Sequence, residues 1–121
     1  MSDERKSVIR EKSFAFALRI VRLCKMLESE RGERILGKQL LRSGTAIGAL
    51  VREAEYAESR ADFIHKMAIA QKEAGETAYW LELLHQSGLL SDEEFASIIL
   101  DQTEIAKILA SIILTSKGFK R

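Results

Sequence analysis

Apolar residues recur at intervals of three and four along most of the chain, the period of amphipathic helices, and the pattern breaks at Arg31-Gly32, near Ser59 and at Gly88. Four helices are predicted. The first runs from Ser13, read as its N-cap, to about Glu30 and buries Phe16, Ala17, Ile20, Val21, Leu23, Cys24 and Leu27. Phe14 and Leu18 fall outside that stripe, beside Arg19, Arg22 and Lys25. The second runs from about Glu33 to Glu58 on Leu36, Leu40, Ile47, Val51 and Ala54. Ser59 followed by Asp62 opens the third at Arg60, and Gly88 closes it. Ser91 and Glu94 form a capping box for the fourth, which carries Phe95, Ile98, Ile99, Ile105, Leu109, Ile112 and Ile113 to about Lys117. Residues 1–12 read as a tail in which Val8-Ile9 packs as an extended hook, and residues 118–121 as a second tail. Short connections make residues 13–117 an all-α, antiparallel up-down-up-down four-helix bundle.

The third helix has two apolar faces. Phe63, Met67, Ala70, Ala74, Ala78 and Leu81 make one; Ile69, Trp80 and Leu83, interleaved with Lys72, Glu73 and Glu76, make another more than a quarter turn away. A monomeric bundle needs one such stripe. The second face, with Phe14 and Leu18, therefore points to contact with another subunit. The second helix contains Gly44 and Gly48, each costing about 1 kcal/mol relative to alanine. Either the backbone bends there or a neighbour comes too close for a side chain. The small residues Ala70, Ala74 and Ala78 make the third helix the expected neighbour.

Composition narrows the class further. Proline is absent from 121 residues, where average usage gives roughly six, as long helices with few connections require. No apolar run approaches the roughly 20 residues of a membrane span, and Met1 to Lys6 begin no signal-peptide pattern. The single cysteine, Cys24, suits a reducing cytoplasm. Net charge is +1, but residues 5–52 hold twelve bases against four acids and residues 53–121 hold seven against twelve. The basic half faces either an anionic partner, RNA or DNA, or the acidic half of the same fold or of a neighbouring subunit.

Candidate chemistry is sparse. Arg34, Lys38, Arg42 and Arg52, joined by Tyr56, form a stripe that suits a phosphate backbone. Asp62-His65 and Glu82-His85 have the spacing of di-iron bundles, but they point in different directions some 30 Å apart along one helix. Cys24 sits on an apolar face as an inert thiol. No nucleophile elbow or phosphate-binding loop is present, so no enzyme, metal, cofactor or small-molecule substrate is implied.

The segments Lys12-Ser13-Phe14-Ala15-Phe16-Ala17, Gln39-Leu40-Leu41-Arg42-Ser43-Gly44-Thr45, Ile47-Gly48-Ala49, Asp62-Phe63-Ile64 and Lys72-Glu73-Ala74, with Glu76 and Tyr79-Trp80, resemble the bacterial 23S rRNA intervening-sequence protein family from about residue 8 to 117. The resemblance implies an antiparallel four-helix bundle assembled as a ring-shaped homopentamer. The family is also similar to the accessory variability protein of diversity-generating retroelements, a basic pentameric barrel that binds reverse transcriptase and nucleic acid. Ala46 replaces the family's usual serine and Leu50 its usual asparagine. Together these readings give a non-enzymatic homo-oligomer, with the number five supplied by the resemblance alone. Phe14, Leu18, Ile69, Glu73, Glu76, Trp80 and Leu83 are the candidate subunit contacts, and Arg19, Arg22, Lys25, Lys38, Arg42 and Arg52 the candidate contacts to RNA or DNA. The alternative is a protein-interaction scaffold whose bases serve interfaces without nucleic acid.

Overall fold

The computed structural model describes residues 3–118 and contains four helices: α1 (Asp3–Arg31), α2 (Ile35–Ala54), α3 (Arg60–Gln86) and α4 (Asp92–Ser116). Each helix packs against its two neighbours around a square, α1 on α2 and α4, α3 on α2 and α4. Cross-helix pairs fix the directions. Ser13 meets Gly48, Ile20 meets Gly44 and Cys24 meets Gly37, so α1 and α2 are antiparallel. Glu53 pairs with Lys66 while Ser43 pairs with Thr77, which reverses α3 against α2. Ala74 meets Gln102 and His85 meets Asp92, which reverses α4 against α3. The bundle is up-down-up-down, as its short connections predict.

The caps of α3 and α4 form as expected. Ser59 accepts from the Asp62 amide, and Ser91 and Glu94 bond reciprocally in a complete capping box. Gly88, at φ +83°, ends α3 in the left-handed region, and the Leu89 and Leu90 amides both bond the Leu84 carbonyl. At the start of α2, Arg34 makes no side-chain cap, and the Glu33 carboxylate accepts from the Leu36 amide instead. The helix stops at Ala54, four residues before the expected end, because the next amides tighten into three-residue bonds: Glu55 to Arg52, Tyr56 to Glu53 and Ala57 to Ala54.

Residues 3–12 are not a tail. They form the first turns of α1, and Ile9 is fully buried, not extended. Ser13 lies within the helix, buried, with its hydroxyl donating to the Arg10 carbonyl. The stripe Ile9, Ser13, Phe16, Ile20, Leu27 is continuous at helical spacing, so nothing stops the helix at Ser13. Of the two expected tails, residues 1–2 and 119–121 lie outside the described residues.

Gly44 and Gly48 mark a close approach between helices, and their partner is α1 rather than the expected α3. A Cβ at Gly44 would sit 2.9 Å from two side-chain carbons of Ile20, and one at Gly48 would sit 3.3 Å from the Ser13 carbonyl oxygen. The α2/α3 contact is made differently, by a buried hydrogen bond of 3.0 Å from Thr77 to Ser43. Gln102 of α4 donates to the Ala74 carbonyl across the α3/α4 seam. Leu50 is partly buried and packs against the core.

The α1/α4 seam is closed by polar groups. Arg5 bonds the Ser111 and Thr115 hydroxyls, Lys12 the Glu104 carboxylate, Arg19 Asp101 and Ser97, and Arg31 Glu94 and the Leu89 carbonyl. Arg31, aided by the Ser91 amide, holds the Glu94 carboxyl down at about 2.

Two predictions follow from this packing. Gly44→Val should cost roughly 1–3 kcal/mol through overpacking against Ile20, whereas Gly75→Ala, where a Cβ meets nothing within 4 Å, should add about 1 kcal/mol of stability. Denaturant unfolding measures both, and equal signs would contradict the packing. Because Glu94 has a depressed folded pKa, its stabilisation is complete above the unfolded carboxylate range and is lost as pH falls from about 4.5 toward 2. The difference in Tm between wild type and Glu94→Gln should therefore close over that window; a difference that stays constant with pH would show that Glu94 contributes nothing through its charge.

Candidate assembly and polyanion surfaces

The uneven charge of the sequence is partly absorbed within the fold. Arg10 pairs with Glu55, Lys12 with Glu104, Arg19 with Asp101, Arg31 with Glu94 and Arg42 with Glu73 and Glu76. Each pair joins a base from the basic half of the chain to an acid from the acidic half. Antiparallel packing of α1 and α2 against α3 and α4 brings these halves together.

The six bases proposed for RNA or DNA are consequently divided. Arg19 is bonded across the α1/α4 seam, and Arg22 lines the cleft there with Glu93 and Glu94. Arg42 lies on the α2/α3 side, held by two carboxylates. Arg52 sits over the Phe14 ring, 5.1 Å from its centroid, on the α1/α2 side. Only Lys25 and Lys38 remain together without an ion pair among the described residues, at the α1/α2 end beside Arg34. The six do not share one surface.

The second face of α3 is also partly used inside the chain. Glu73 and Glu76 bond Arg42, and the Trp80 indole N–H donates to Glu76 at 3.2 Å. Arg42 first, then Trp80, holds the Glu76 carboxyl below the usual carboxylate range. Trp80 packs against the core, while Ile69 and Leu83 are half-buried. Tyr79, edge-on to Trp80, is left 56% exposed.

Phe14 and Leu18 are placed differently. They lie on the outer α1/α2 side with 51% and 40% of their surface exposed, and Leu41 of α2 joins them at 37%. Phe14, Leu18 and Val21 follow one another at intervals of four and three, and Leu41 stands across from Val21 in the groove between the helices. The Cys24 thiol lies in that groove, donates to the Gly37 carbonyl at 3.3 Å and is pushed up to about 11 by burial. It is a poor nucleophile.

His85 stacks on Phe95 and bonds Asp92, away from Glu82. Asp62 accepts from the Glu58 amide and lies near Lys66. Among the described residues no group of three His, Cys, Asp or Glu is placed to hold a metal ion, and no helix is long and apolar enough to cross a membrane.

Sequence reasoning missed Leu41, Tyr79 and the unfilled groove at Gly37. Leu41 lies off the buried face of α2, which was a usable signal. The groove depends on how α1 and α2 meet and has no signal in either helix alone.

The helices, their directions and the polar seams define an antiparallel four-helix bundle with an apolar strip on one outer side. The sequence matches the 23S rRNA-intervening sequence protein family over residues 5–111, and the chain belongs to that family. It is similar to a crystal structure of a protein of unknown function from the S23 ribosomal protein family of Bacteroides thetaiotaomicron, with 55% identity, a TM-score of 0.89, and coverage of 90% of this chain and 97% of that one. No curated protein matches it.

Proposed function

We propose that this chain is a non-enzymatic scaffold that assembles with copies of itself and works in the reducing cytoplasm, where its single thiol, Cys24, stays reduced. The observation that carries the reading is the strip of Phe14, Leu18 and Leu41, which the chain's own core leaves exposed. The second face of α3 lies on a neighbouring side of the square. Two different patches at roughly a right angle, or somewhat more, favour a heterologous contact that closes a small ring of about four to six copies. Five copies is the number the family resemblance implies.

A second reading is favoured by Lys25, Arg34 and Lys38, which make no ion pair among the described residues. Ring assembly would repeat this cluster around one end and present it to RNA or DNA. Arg19 and Arg42, already bonded within the chain, support that role less.

Sedimentation of wild type and a Phe14→Glu/Leu18→Glu variant tests the first reading. Wild type should form one discrete oligomer and the variant smaller species of unchanged helix content; a variant that assembles as well as wild type would overturn the role of the strip. Filter binding to structured RNA across a salt series tests the second. A steep salt slope that flattens in Lys25→Gln/Lys38→Gln supports nucleic acid, and no binding at low salt rejects it.

A further inference from the structure

The α1/α2 groove contains a socket that the bundle does not fill. Gly37 is buried at its base, yet a Cβ built there would meet no atom within 4 Å. Glycine inside a helix is costly relative to alanine. Gly44 and Gly48 have a reason in α1, whereas Gly37 has none in its own chain. Val21, Cys24 and Leu41 form apolar walls around a cavity of about 220 Å³. That is below the roughly 300–1,000 Å³ of a small-molecule cleft, and the scale suits one anchoring side chain.

The rim indicates the chemistry of the occupant. Lys25, Arg34 and Lys38 stand there with Glu28 and Glu33, and the Glu33 carboxylate is turned to the Leu36 amide. The side chain that enters should therefore carry an acidic neighbour.

We propose that the socket receives Tyr79 of a second copy of this chain, with Glu82 of that copy against the Lys25–Lys38 rim; the proposal rests on the assembly reading above. Tyr79 is an exposed aromatic within a helix, steadied edge-on by Trp80. Glu82 follows it by one turn, is exposed and makes no ion pair among the described residues. The levels agree as well. Tyr79 lies seven residues before the end of α3 at Gln86, and Cys24 lies seven residues before the end of α1 at Arg31. Both helix ends are at the same end of the bundle, so each residue is about 10 Å below it. Copies in a closed ring all point the same way along the axis, and equal levels meet.

Two other strongly exposed apolar side chains fit less well. Leu100 lies at a similar level, but the neighbouring Asp101 and Glu104 are bonded to Arg19 and Lys12. Tyr56 follows α2 at the opposite end of the bundle.

Sedimentation equilibrium of the full chain tests the contact. Gly37→Leu fills the socket from within, where its Cβ has room, and Tyr79→Ala removes the knob. Each should keep the helical circular dichroism and weaken assembly by about tenfold or more, while Tyr79→Phe should assemble like wild type. Lys38→Glu and Glu82→Lys should each weaken assembly, and the two together should restore it. If wild type assembles and these variants assemble equally well, this contact is wrong and the assembly reading stands. If wild type is monomeric at every concentration, both fall.

Discussion

The close approach of α1 and α2 governs the outer shape of this bundle. At Gly44 the backbone of α2 lies directly on Ile20, and at Gly48 it lies on the backbone at Ser13. No side chain of α2 fits between the helices at those levels. Residues that flank the contact must point inward, as Phe16, Ile20, Leu40 and Ile47 do, or outward, as Phe14, Leu18 and Leu41 do. The same contact that completes the core thus places an apolar strip outside it. Gly37, seven residues or about two turns before Gly44 in α2, has no partner of this kind and leaves the groove open.

The opposite seam follows a different principle. Where α1 meets α4, bases of α1 reach hydroxyls, carboxylates and a carbonyl of α4 and the preceding turn. Exposed pairs of this kind add little stability individually. Their value lies in register: Arg5, Lys12 and Arg19, spaced seven apart, select descending positions on α4 and fix it antiparallel to α1. The charge imbalance between the halves of the chain is therefore in part internal matching. The bases at the groove end, Lys25, Arg34 and Lys38, make no ion pair among the described residues.

Much of the fold was legible in the sequence. The bounds of α3 and α4 followed from side chains that bond their own helix ends, Ser59 with Asp62 and Ser91 with Glu94, and local chemistry of this kind needs no tertiary knowledge. The start of α1 was hidden because Asp3 to Lys12 hold mostly charged residues around a single deeply buried one, Ile9. The costly glycines of α2 signalled a close neighbour, but a single helix cannot say which neighbour, and α1 rather than α3 fills that place. Glu73 and Glu76, candidate subunit contacts in the sequence, bond Arg42 of the same chain, a pairing that only the α2/α3 register could reveal. The candidate surface was half legible: Phe14 and Leu18 stood out by their spacing, whereas the Gly37 socket exists only between two helices.

The central claim is that the outer α1/α2 strip is buried between copies of this chain. Native mass spectrometry of the intact protein tests it most directly, since it counts subunits without reference to any variant. A single species containing a fixed small number of chains is the predicted result. A spectrum of monomers alone, at concentrations where the protein remains folded, would contradict the account.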